Sequence, residues 1–184
     1  MKHRIMLYMA LTVMVIMAII SVSGCTTSAT VEDLSIGLLN NSTYSVQVIG
    51  GTNGTVTFSY GDIVALGLVK IDNVSHPDDS GLTVSDDYIG VPLQKVLERA
   101  GVPAGDHAYN VTGLDGYYAV YDQNQSENGL IALKQNGSAL TNNPSDPITL
   151  ILPGGPFCHW IPYPTSIEIV DAVPGEDYND SCAA

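Results

Sequence analysis

The chain has 184 residues, with six Lys and Arg against 19 Asp and Glu and a formal net charge of −13. No basic cluster exists to neutralise phosphates, which excludes nucleic acid and anionic lipid head groups as partners. Eighteen glycines, ten prolines and few strong helix formers point to one β-rich domain with a core of ordinary size.

Lys2, His3 and Arg4 precede an apolar run from Ile5 to Ile20, and Val22-Ser-Gly leads to Cys25. A basic head, an apolar stretch and small residues before a cysteine give the order of a secretory signal, here 1–24. The cysteine directly after the small residues resembles the lipobox of prokaryotic lipoproteins. That resemblance implies that Cys25 is lipidated and becomes the new N-terminus. The alternative is an uncleaved anchor, since the segment has the ~20 residues that span a bilayer. Either way the domain is expected outside the cytoplasm, held at the cell-surface membrane. From Cys25 onward only Lys70, Lys95, Arg99 and Lys134 oppose the 19 acids, a net of 4 − 19 = −15. Residues 25–43 read as a tether, small and polar.

A domain is predicted over 44–171. Tyr44–Ile49 alternates as a strand, Thr52-Asn-Gly-Thr is a hairpin turn and Val56–Ser59 its partner. Ser59 caps a short helix over 60–66 with Asp62 in its first turn. Leu68–Asp72 reads as a strand, 75–81 as a polar loop and 82–89 as extended. The clearest helix begins at Pro92: Leu93, Val96, Leu97 and Ala100 share one face, Arg99 suits the last turn, and Gly101 ends it. Short strands follow at 109–111, 117–121, 130–134, 148–152 and 166–170. Residues 172–184 form a tail.

Eight of the 11 asparagines lie in Asn-x-Ser/Thr sequons: Asn40, Asn41, Asn53, Asn73, Asn110, Asn124, Asn136 and Asn179. Such density predicts an exported glycoprotein with these sites in exposed turns and, with the lipobox, an archaeal surface. No CxxC or His/Cys cluster exists, so zinc of the usual spacing is excluded. Outside the cytoplasm Cys158 and Cys182 can form a disulfide that pins the tail; alternatively Cys158 is a ligand-facing thiol.

The pieces from Tyr88 to Val170, in order, are Tyr88-Ile-Gly-Val-Pro-Leu, a helix ending Leu97-Glu-Arg-Ala-Gly-Val, Asp115-Gly-Tyr, Leu130-Ile-Ala, Asn136-Gly with Leu140, Asp146-Pro before an apolar strand ending at Pro153, Trp160 and Ile167-Glu-Ile. This series resembles the second half of the molybdopterin-binding domain of sulfite oxidase-type oxidoreductases. The resemblance implies an α+β, β-rich fold with a mixed, barrel-like sheet. It also implies a molybdenum–pterin cofactor whose metal takes one cysteine thiolate, located just after the strand matched by Leu68–Asp72, and basic residues on the pterin phosphate. The sequence departs on both points. Residues 26–157 contain no cysteine, the expected thiolate position reads Asn73-Val-Ser-His76, and the matched pterin loop Gly154-Gly-Pro-Phe-Cys-His-Trp carries no Lys or Arg.

The expectation is therefore a surface lipoprotein whose domain keeps the fold, holds no cofactor and binds a small molecule or an envelope protein. The alternatives are an active molybdopterin-dependent oxidoreductase and a glycosylated adhesion or assembly module. Candidate ligand-binding residues are His76, Gly154, Gly155, Cys158, His159 and Trp160, each with an ordinary structural role as its alternative. No catalytic residue and no metal ligand set is assigned. Asp86 and Asp87, adjacent on a strand, point to opposite faces and cannot act as a catalytic pair.

Overall fold

The computed structural model describes residues 43–78, 80–103, 105–141, 143 and 147–171. Cys25, Asn40, Asn41, Asn179 and Cys182, with the signal, most of the tether and the tail, lie outside them. Among the described residues no helix is long and apolar enough to cross a membrane.

Two sheets share one hydrophobic core. The first begins with a hairpin of β1 (Ser45–Gly51) and β2 (Gly54–Ser59), turning at Thr52-Asn53. Val46 and Val48 are fully buried while Ser45 and Gln47 are exposed, the period of two that a half-buried strand requires. Its order is β2-β1-β11-β5-β6. β11 (Pro164–Asp171) runs parallel to β1, and β5 (His107–Gly113) and β6 (Tyr118–Tyr121) are antiparallel. The sheet is thus mixed, as the family resemblance implied.

The second sheet has the order β10-β9-β7-β4-β3, antiparallel throughout, with β8 (Ser138–Ala139) beside the end of β7. β3 spans Val69–Pro77, β4 Thr83–Pro92, β7 Leu130–Gln135, β9 Thr149–Ile151 and β10 Ile161–Pro162. The two sheets do not close into a barrel. Leu130-Ile-Ala-Leu133 is buried residue by residue, because β7 is paired on both edges and packed on both faces. Gly90 lets β4 and β7 approach at a bulge: a Cβ there would stand 2.1 Å from the Ile131 carbonyl oxygen.

Among the described residues, three short α-helices fill the gaps. α1 (Tyr60–Ala65) has a full capping box: Ser59 Oγ accepts from the Asp62 N–H, and the Ser59 N–H donates to the Asp62 carboxylate at 2.9 Å. α2 (Leu93–Ala100) buries the four residues its spacing predicted and ends at Gly101 with φ +80°. Pro92 is its cap as well as the last residue of β4. The Gly101 carbonyl accepts from the Thr52 N–H and hydroxyl, which ties the helix end to the first hairpin. α3 (Gln123–Asn128) is not expected from the sequence; it carries no apolar period, but Asp122 and Gln125 cap it reciprocally.

Two further expectations are corrected. The polar loop expected from Ser75 begins only after Pro77, because Ser75, His76 and Pro77 pair with Ser85, Val84 and Thr83 across β4. Asn110 is not in an exposed turn: it is half-buried in β5, between β11 and β6.

Candidate ligand-binding cleft

The end of the β3–β4 hairpin faces the segment after β9, and a cleft of about 740 Å³ opens between them. Alternation along β4 puts Val84, Asp86 and Tyr88 on the cleft side, and His76 comes from β3 opposite them. A single 3-10 turn, Phe157–His159, carries the other wall. The two walls meet through aromatic rings. His76 stacks on Phe157 at 5.8 Å between centroids and lies 5.1 Å from Trp160, and Tyr88 meets Trp160 edge to face. The Trp160 indole N–H donates to the Leu152 carbonyl, so this tryptophan is packed from behind and buried.

Asp86 is the polar hub. Its carboxylate accepts from Asn136 Nδ2 at 2.7 Å and Gln135 Nε2 at 2.5 Å, and lies 2.8 Å from His76 Nε2. The Asn136 amide, then His76 and Gln135, hold its carboxyl below the usual carboxylate range against the opposing effect of partial burial. The other ring nitrogen, His76 Nδ1, lies 3.0 Å from the Pro77 carbonyl oxygen. Both nitrogens thus face oxygen acceptors, which fixes the ring plane against Phe157. Burial and the Asp86 charge push the Tyr88 phenol up to about 12. Asp87 serves a different set: Lys70 Nζ at 3.0 Å and the Asn73 N–H at 3.1 Å. The two neighbouring carboxylates therefore form no pair, as their strand positions required.

Two turns complete the rim. Asp78, after β3, accepts from the Ser80 N–H and hydroxyl and from the Leu82 N–H through one oxygen, Oδ1. Asp115, between β5 and β6, accepts from the Tyr117 N–H. The Tyr117 hydroxyl donates to the Cys158 carbonyl at 2.6 Å, closing that turn against the 3-10 turn.

The six candidate residues separate into two regions. His76, Cys158 and Trp160 line the cleft. Cys158 is disulfide-bonded, and the other two cysteines, Cys25 and Cys182, lie outside the described residues. His159 faces away and is buried: its ring stacks on Tyr121, its Nδ1 lies 3.4 Å from Gln125 Nε2, and its carbonyl takes the Tyr121 hydroxyl. Burial lowers its imidazole pKa. Gly154 and Gly155 border a separate hollow of about 270 Å³ beside α3. Gly154 adopts φ +79°, the positive φ of a turn. Asp86, Tyr88, Asp115, Tyr117 and Phe157 are cleft residues that sequence reasoning missed. Pairing across the β3–β4 hairpin and the fold of the 3-10 turn assemble them, and neither is written in local spacing.

The donor set does not fit a metallated pterin. Cys158 sits in a disulfide and offers no thiolate to a soft metal. Among the described residues no Lys or Arg lines the cleft. Lys70 is held by Asp72 and Asp87, Lys95 donates to the Leu66 carbonyl, Lys134 is buried in β7, and Arg99 borders a different hollow. The charged lining is instead Asp78, Asp86 and Asp115, with His76 already on Asp86. Such a lining repels a phosphate.

No curated protein sequence matches the chain. A crystal structure of the sulfane dehydrogenase SoxCD from Paracoccus pantotrophus is similar in fold, with a TM-score of 0.60 and 18% identity over 76% of this chain. The match spans only 42% of that chain's length. The family model described as the oxidoreductase molybdopterin binding domain matches residues 33–177. With the mixed sheet and the position of the cleft already established, the chain belongs to the family of oxidoreductase molybdopterin-binding domains.

Proposed function

We propose that this is an exported, lipid-anchored member of the family that performs no redox catalysis and uses its cleft to bind a small ligand. One observation carries the reading. Where the family's cofactor chemistry calls for a thiolate and cations, the cleft presents a disulfide-bonded Cys158, aromatic rings and three carboxylates. A molybdenum–pterin group held there would have neither its sulfur ligand nor a counter-charge for its phosphate. The lipobox-like Cys25 and the sequons support placement on a cell-surface membrane, archaeal by their combination. Asn110, half-buried in β5, and Asn136, whose amide already bridges the Asp87 N–H and the Asp86 carboxylate, are poorly suited to glycan.

The test is thermal unfolding of protein made in hosts with and without molybdenum-cofactor synthesis. A resident cofactor that binds only the folded state raises the midpoint by mass action. We expect identical midpoints. A midpoint several degrees higher in the cofactor-making host contradicts the reading.

A further inference from the structure

Resting on that reading, we infer that the cleft takes a small organic cation, an amine carrying an apolar or aromatic body. The first argument is an inventory of hydrogen-bonding groups. Most of the cleft's side-chain donors already have partners within the protein: Gln135 Nε2 donates to Asp86, the Tyr117 hydroxyl to the Cys158 carbonyl and the Thr149 hydroxyl to the Pro147 carbonyl, the His76 ring nitrogens lie against Asp86 and the Pro77 carbonyl, and the Tyr88 hydroxyl lies 3.4 Å from His76 Nε2. What remains is acceptor capacity. Asp78 and Asp115 hold their turns through Oδ1, and both residues stay exposed at the cleft rim. A ligand that needs donors, such as an anion, meets few of them beside three carboxylates, whereas a ligand that brings N–H groups meets acceptors.

The second argument is surface. Phe157 and Tyr117 are 46% and 45% exposed, and both line the cleft. Phe157 lies against His76, and Tyr117 is fixed by its hydroxyl to the neighbouring Cys158. Two exposed rings lining the same cleft as three carboxylates offer aromatic surface to a cation whose charge the carboxylates balance. Cleft volume, about 740 Å³, suits a small molecule rather than a macromolecule. The net charge of −15 beyond Cys25, from four basic and 19 acidic residues, draws cations toward the domain as a whole.

Three probes of nearly one shape test this: benzylammonium, benzyl alcohol and benzoate, each titrated into the purified chain at pH 7 by calorimetry and ligand-observed NMR. We expect benzylammonium to bind at least tenfold more tightly than benzyl alcohol and benzoate not to bind. The double variant Asp78→Asn, Asp115→Asn keeps the oxygens that accept from Ser80, Leu82 and Tyr117 while removing both charges. It should weaken benzylammonium at least fivefold and leave benzyl alcohol unchanged, with its unfolding midpoint reporting that the fold is intact. Phe157→Ala should weaken both. Equal or tighter binding of the alcohol or benzoate overturns the cation assignment while keeping a binding cleft. Absence of binding by all three also overturns it. Metal and pterin at one per chain would instead defeat the reading on which it rests.

Discussion

Replacing Asp86 with Ala tests the arrangement that joins the cleft walls. The substitution removes one carboxylate and strips the acceptor from His76 Nε2, Gln135 Nε2 and Asn136 Nδ2, at 2.8, 2.5 and 2.7 Å. A hydrogen bond to a charged group contributes about 1.5–3 kcal/mol, and a buried donor left unpaired adds to the loss. Asn136 is exposed and water can serve it, so the sum falls well short of three full bonds. We expect a loss of about 3 kcal/mol, on the scale of hydrogen bonds to charged groups. With a urea slope of ~2 kcal/mol/M for a domain of this size, the midpoint falls by roughly 1.5 M. Asp87→Ala, which touches the exposed Lys70 and the Asn73 N–H, should shift it far less. The acid limb gives a second readout. Because the folded Asp86 carboxyl sits below its ordinary range, its contribution is complete above about pH 4 and is lost as pH falls through the folded value. The Asp86→Ala protein should therefore lose less stability on acidification than the parent. A midpoint shift under ~0.3 M, or one no larger than that of Asp87→Ala, would refute the role of Asp86 as hub.

His159 is buried with its pKa lowered by desolvation, so protonation favours the unfolded chain. Stability should be flat above about pH 6.5 and decline as pH drops below it; His159→Gln should remove that slope whatever it does to the absolute level, and an unchanged slope in urea titrations at pH 7 and 5 argues against it. Gly90→Ala drives a methyl to 2.1 Å from the Ile131 carbonyl and 2.8 Å from Ala132 Cα, both backbone, so β4 and β7 must part. The loss should reach about 3 kcal/mol, seen as a lower urea midpoint and poor soluble yield; a parent-like midpoint would refute the close approach. Non-reducing peptide mapping should link Cys158 to Cys182, leaving Cys25 for the lipid, and a Cys158–Cys25 peptide would contradict this.

Much of the scaffold was legible because it is local. Val46 and Val48 show their strand by alternation, Leu93 to Ala100 show their helix by period, and Ser59 with Asp62 marks a cap. α3 escaped because Gln-Asn-Gln-Ser-Glu-Asn has no apolar period, although the Asp122–Gln125 box was visible in the sequence. The cleft was legible only in outline. The stretches matched to the family's thiolate position and pterin loop, 73–76 and 154–160, do contribute His76, Phe157 and Trp160. Which residues meet there depends on the β3–β4 register. A strand that continues to Pro77 turns a residue expected in a polar loop, His76, into one stacked on Phe157 and bonded to Asp86. His159, adjacent to Trp160 in the chain, faces the opposite side because a 3-10 turn rotates successive side chains by about a third of a turn. Spacing alone could not separate the two.

The family's cofactor demands sulfur and positive charge, and this cleft supplies aromatic rings and negative charge. The most direct test is elemental and pterin analysis of the chain purified from its native host or a close relative. We expect molybdenum and tungsten far below one atom per chain, with no pterin fluorescence after oxidation. One metal and one pterin per chain would contradict the central claim.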